Sequence, residues 1–175
     1  MRRMDNLLDW QASLPDVFFA PEVVVAQSLT AALRSLGAEF SVRLLYLGNV
    51  GFDPIFAGGL QEQGKNNWFA RDVLLCLNGT PVVWARSMCH EGADRWSALL
   101  DCGTQPLGER LFDGSLPLIR TSFEYASIPP ARLPQGLVAQ EVLARRSFFD
   151  WEGQTLGLAE CFLPALSQFL PAKPQ

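Results

Sequence analysis

The dipeptide Asn78-Gly79 does more than any other feature to limit the folds open to this chain. It sits between two β-rich runs, Trp68–Leu77 and Thr80–Cys89. Asn-Gly favours a two-residue hairpin turn because both central positions need positive φ. Side chains alternate along a strand, so Phe69, Val73, Leu75 and Leu77 form one apolar row and Val82, Trp84 and Met88 another. An arginine interrupts each row, Arg71 in the first and Arg86 in the second. If pairing counts outward from the turn without interruption, Arg71 lies directly opposite Arg86 on one apolar face. Like charges opposite one another destabilise a strand pair, and an interior charge without a partner is costly. The pair therefore needs an anion, supplied either by buried acids of the protein or by a ligand. Arginine suits a ligand because its planar fork grips a carboxylate through two parallel bonds. A slip of one residue in register would move one arginine to the other face and remove the argument.

A second hairpin is predicted from Ala139–Trp151 and Gln154–Leu163 around Glu152-Gly153. Counting outward from that turn, Glu160 faces Arg145 and shares its row with Leu156, Leu158 and Phe162. A carboxylate in an apolar row has two readings. It is one half of a structural ion pair with Arg145, or it is a general acid or hydrogen-bond partner for a bound molecule.

The rest of the chain supplies the frame. The spacing of Val25, Leu29, Leu33 and Leu36 predicts a helix over 21–36, opened by Pro21 and stopped by Gly37. Phe40, Val42, Leu44 and Tyr46 alternate as a strand. Residues 48–66 are glycine-rich and aperiodic and read as a long loop, a candidate lid. Arg95–Cys102 and Leu107–Phe112 read as short helices, Ile119–Ile128 as a strand, and 164–175 as a short helix and tail. One early strand, two hairpins and the Ile119 strand make six. The expectation is an α+β fold over 1–175, a single domain with one six-stranded antiparallel sheet, helices packed on one face and an enclosed ligand pocket.

Composition narrows the function. A net charge of −4 argues against a nucleic-acid partner. No apolar run is long enough for membrane insertion. Arg2 and Arg3 could open a leader, but Asp5 and Asp9 interrupt it, so a cytoplasmic protein is expected. The four cysteines, Cys76, Cys89, Cys102 and Cys161, form no CxxC pair, so no metal site is expected and free thiols are. His90, the single histidine, follows a strand end and reads as a rim residue. No phosphate-loop pattern surrounds Gly58-Gly59.

Three blocks of sequence resemble the chorismate pyruvate-lyase family. They are Arg71-Asp72-Val73-Leu74-Leu75-Cys76 with the Asn78-Gly79 turn and Ala85-Arg86-Ser87; Gln105-Pro106-Leu107-Gly108-Glu109-Arg110-Leu111-Phe112; and Ala159-Glu160-Cys161-Phe162-Leu163-Pro164. Ser28-Leu29-Thr30 is a weaker match, and the likeness spans about residues 22–166. The resemblance implies cleavage of chorismate to 4-hydroxybenzoate and pyruvate, the first step of ubiquinone biosynthesis, without cofactor, by a monomer. It implies that Arg71 binds the ring carboxylate, helped by backbone N–H groups near Leu29 and Leu107. It further implies that Glu160 contacts the 4-position oxygen and that Arg86 binds or orients the enolpyruvyl part. The competing reading is a non-catalytic effector-binding domain of the same fold, as in bacterial transcription regulators. Those carry a basic winged-helix segment that these 175 residues do not show, and they have no need of Arg71, Arg86 and Glu160 together.

Overall fold

The computed structural model describes residues 8–15, 21–61 and 67–171. The leader reading of residues 2–5, the end of the glycine-rich stretch and the last residues of the tail lie outside them. Among the described residues seven strands form one antiparallel sheet: β1 (Phe40–Val50), β2 (Trp68–Leu77), β3 (Thr80–His90), β4 (Leu118–Arg120), β5 (Glu124–Ile128), β6 (Val142–Trp151) and β7 (Gln154–Phe162). Their spatial order is β1-β2-β3-β7-β6-β4, with β5 also on β6. The α+β class and antiparallel sheet are as expected, with seven strands in place of six. The predicted Ile119 strand divides because it carries one residue more than β6 can match: Arg120 pairs with Phe149, but Glu124 already pairs with Arg146. Around the bulge, Thr121 and Phe148 exchange two hydrogen bonds, one through the threonine hydroxyl.

Both hairpin turns form where the sequence places them. Asn78 and Gly79 take φ of 49° and 78°, Glu152 and Gly153 take 50° and 90°. The second hairpin runs without interruption, so Arg145 faces Glu160 as expected. The first does not. Cys76 pairs with Pro81, but Leu75 pairs with Val83, leaving Val82 as an extra residue. Pro81 lacks the N–H that a ladder needs, and proline inside a central strand belongs at a bulge. From the bulge onward every β3 side chain changes face. Arg71 therefore faces Ser87, and Arg86 faces Asp72 on the other side of the sheet. The expected juxtaposition of Arg71 and Arg86 does not form.

Four short helices lie on the Arg71 face: α1 (Pro21–Val24), α2 (Leu29–Arg34), α3 (Asp94–Leu100) and α4 (Leu107–Phe112). The helix expected over 21–36 breaks between Val24 and Leu29. Ser28 accepts a hydrogen bond from the Ala31 N–H and so opens a new helix. Apolar side chains from these helices and the sheet fill two clusters on this face, one around Leu29, Leu33, Val73 and Phe162, the other around Trp96, Leu107 and Phe149.

The opposite face is covered too. A 3₁₀ turn, Pro54–Phe56, and the residues after it press Ile55, Phe56 and Leu60 onto Trp68, Ala70, Met88 and Phe148. The described part of the glycine-rich stretch is thus a second layer, on the side of the sheet away from Arg71, and not a lid over that arginine. Its approach is close: a Cβ on Gly59 would lie 1.9 Å from the Phe148 ring, and one on Gly157 would lie 2.6 Å from Phe56. Gly59→Ala and Gly157→Ala should each destabilise by about 1–3 kcal/mol through overpacking. That corresponds to a melting temperature lower by roughly 2–12 °C for a chain of this size, measurable by thermal denaturation.

Candidate active site

Counting residues along the strands decides which arginine reaches which compartment. On the second-layer face, Arg86 Nε donates to Asp72 Oδ1 at 2.7 Å and Nη2 to Asp72 Oδ2 at 2.6 Å, a bidentate pair. Its Nη1 donates to Asp53 Oδ2 at 2.9 Å. Burial alone would lower the Arg86 pKa, but the hydrogen bonds and charges of Asp72 and Asp53 outweigh it and push it up. Arg146, beside it in the same layer, donates to the carbonyls of Ile55 and Ala57 and to Glu124. These two arginines fasten the 52–60 segment to the sheet.

On the helical face, a cavity lies between the sheet and the starts of α2 and α4. With its opening to solvent included, the space free of protein atoms there is ≈ 500 Å³. Its floor carries Arg71, Val73 and Leu75 from β2, Ala85 and Ser87 from β3, Arg145 from β6, and Leu158 and Glu160 from β7. Leu29 and Thr30 of α2 and Leu107, Gly108 and Phe112 of α4 close it from above. The two helices meet tightly, since a Cβ on Gly108 would come within 3.0 Å of the Thr30 hydroxyl. Arg34 and Glu109 join them on the outside in an exposed ion pair. Leu29 and Leu107 are first helical residues, whose N–H groups have no partner within their helices.

Four ionisable side chains line the cavity: three arginines and one glutamate. Arg145, 1% exposed, has one acid and two carbonyls as partners. Its Nε donates to Glu160 Oε1 at 2.8 Å, and its Nη1 donates to the carbonyls of Val24 and Ala26 at 2.7 and 2.6 Å. The break between α1 and α2 thus points carbonyls at this guanidinium. Glu160 is 6% exposed, and its pairing and its place on the cavity coexist: the ion pair fixes one oxygen while the side chain lines the space.

Arg71 is 2% exposed and has no carboxylate partner among the described residues. Nη2 donates to the carbonyls of Gly103 and Gln105, both at 3.0 Å, and its buried Nε has no partner. Burial lowers its pKa, partly offset by nearby Cys102. Arg120, which the sequence reading did not single out, is the third. Its Nη1 donates to the backbone and side-chain oxygens of Gln27 at 3.0 and 3.2 Å. Burial lowers its pKa to about 10, against a raising contribution from Glu160 and a lowering one from Arg145. No local sequence pattern marks it: its neighbour Ile119 is 73% exposed, while Arg120 lines the cavity.

Of the expected site residues, the structure brings Arg71, Leu29, Leu107 and Glu160 together around one cavity and puts Arg86 behind it, in the second layer. Among the described residues, no three His, Cys, Asp or Glu side chains cluster as metal ligands would. No helix there is long and apolar enough to cross a membrane.

These features define a class: an α+β protein with a small, partly open cavity in which positive charge exceeds negative. Comparison with known proteins makes the class specific. The family model described as chorismate lyase matches residues 11–169. A probable chorismate pyruvate-lyase of Shewanella amazonensis is 34% identical over 168 residues, covering 90% of this chain and 85% of that protein. Another from Aromatoleum aromaticum is 37% identical over 155 residues, covering 79% and 80%. The chain belongs to the chorismate lyase family. Among solved structures it is similar in fold to the effector domain of PhnF from Mycobacterium smegmatis, with a TM-score of 0.52 and 12% identity over 78% of this chain and 88% of that one. At that identity the likeness is one of fold alone.

The Arg86 network yields a prediction. Arg86→Met leaves two partly buried carboxylates without their cation, which should cost on the order of 3 kcal/mol in urea unfolding. Asp72→Asn should cost less in that background than in the natural protein. Additive losses would show that the pair is not coupled.

Proposed function

We propose that the protein cleaves chorismate to 4-hydroxybenzoate and pyruvate in this cavity. The observation that carries the reading is Arg71: a buried guanidinium with no carboxylate partner among the described residues, on a cavity whose floor also carries Glu160. A cation in that state has a standing demand for an anion, and the substrate's ring carboxylate meets it. Leu29 and Leu107 line the same cavity, and their N–H groups would share that carboxylate's oxygens. Membership of the family supports the choice of substrate.

In this reaction the ether C–O bond to the ring breaks, and its electron pair goes to the departing enolpyruvate oxygen. The neighbouring hydroxyl-bearing ring carbon loses its proton, and the ring becomes aromatic. The enolate takes up a proton and leaves as pyruvate. Since aromatisation drives the change, the protein's task is to hold one reactive conformer and to stabilise developing charge. Arg71 fixes the ring end. Glu160, positioned by Arg145, contacts the 4-position oxygen and assists proton movement there. Arg86, which the family resemblance assigned to the enolpyruvyl part, acts at a distance: it ties the second layer to the strand that carries Ala85 and Ser87 into the cavity floor.

The test is to mix protein with chorismate and follow the ultraviolet absorbance of 4-hydroxybenzoate. The natural protein should form product, while Arg71→Ala and Glu160→Gln should each lose roughly 10- to 100-fold in kcat/KM, the value of one charged hydrogen-bonding group. Near-natural turnover in either variant would sink the corresponding assignment. Absence of product from the natural protein across a range of pH would favour a non-catalytic ligand-binding role.

A further inference from the structure

Five arginines of the strands are withheld from full solvent exposure, and their partners divide them sharply. Arg86 has Asp53 and Asp72, Arg145 has Glu160, and Arg146 has Glu124. Arg71 and Arg120 have no carboxylate among the described residues, and these two both line the cavity. We propose that Arg120 is the second carboxylate-binding residue of this site, taking the enolpyruvyl carboxylate of the substrate while Arg71 holds the ring carboxylate. The inference rests on the proposed function and adds the residue that the displacement of Arg86 leaves wanting.

The surroundings of Arg120 fit that task. Its guanidinium carbon lies 4.2 Å from the centroid of Phe123, 4.5 Å from Phe112 and 5.1 Å from Phe149. Aromatic faces and the Gln27 oxygens attract a cation without neutralising it. They hold the planar group in place and leave its formal charge unmatched. Its buried Nε has no hydrogen-bond partner, as is also true of Arg71. Phe123 carries Arg145 as well, at 4.0 Å from its centroid, so the Arg120 and Arg145–Glu160 groups share one support. Two unmatched cations around a cavity otherwise walled by apolar side chains, the uncharged Gln27, Thr30 and Ser87, and a neutralised ion pair select a ligand with two carboxylates. When the ether bond breaks, negative charge moves toward the enolpyruvate side, where Arg120 would meet it.

The experiment compares two stable aromatic probes, 4-hydroxybenzoate with one carboxylate and 3-(carboxymethoxy)-4-hydroxybenzoate with two, by calorimetric titration. The natural protein should bind the second probe more tightly. Arg120→Met, which keeps a long side chain among the three rings, should remove that advantage, weakening the dicarboxylate about 10- to 100-fold. It should leave 4-hydroxybenzoate within about threefold, because tenfold already requires about 1.4 kcal/mol of lost contact. With chorismate, the same variant should lose kcat/KM to a similar extent as it loses the dicarboxylate. Arg120→Lys keeps the cation and should recover part of both, and thermal melting of each variant separates binding from folding. Unchanged dicarboxylate binding in Arg120→Met, or an equal loss for both probes, would overturn the assignment. If the natural protein does not convert chorismate yet shows a dicarboxylate preference that Arg120→Met abolishes, the proposed reaction fails and the assignment of Arg120 as an anion site stands.

Discussion

The central strands of this sheet are covered on both faces, so the arginines they carry inward have little access to bulk water, and that constraint organises this molecule. Each arginine carried inward by a strand must find compensation inside the protein or leave a charge for something else to meet. The second-layer face solves the problem internally. Arg86 and Arg146 bind acids and backbone carbonyls, and in doing so hold the 52–60 segment against the sheet. The helical face solves it only in part. Arg145 is neutralised by Glu160, whereas Arg71 and Arg120 are solvated by carbonyls and aromatic rings. The cavity lies where compensation is incomplete, so the location of the site follows from charge accounting across the sheet.

Short helices serve this arrangement better than long ones would. The interruption between α1 and α2 exposes the carbonyls of Val24 and Ala26 to Arg145 and begins a new helix at Leu29, above the floor. A continuous helix would have tied up those carbonyls in its own ladder and buried the Leu29 N–H. Gly108 lets α4 close against Thr30, which brings Leu107 to the same opening.

Much of the fold was legible in the sequence, and the misses have definite causes. Both turns could be read because Asn-Gly and Glu-Gly occupy positions of positive φ. The second hairpin's register followed by counting, since nothing in it interrupts the ladder, and Glu160 met Arg145. In the first hairpin Pro81 marks a bulge that uninterrupted counting from the turn does not include, so counting assigns Arg86 to the face opposite its own. The helix break was equally visible in principle, because Ser28 is a strong capping residue; the apolar periodicity that runs through it masked the signal. Arg120 was hidden for a different reason. Its face depends on a bulge near residues 121–123 in an edge strand, a feature set by pairing with β6 and not by local pattern.

The extra residue at Val82 also limits how this hairpin can vary among descendants of the same gene. Inserting or deleting one residue between the bulge and Arg86 would exchange the two faces of β3 beyond that point, turning Arg86 toward the cavity and Ser87 away from it. Changes in pairs, or changes confined to the turn, would keep the faces sorted. The length of this short stretch is therefore under a parity restriction as strict as the restriction on any single side chain it carries.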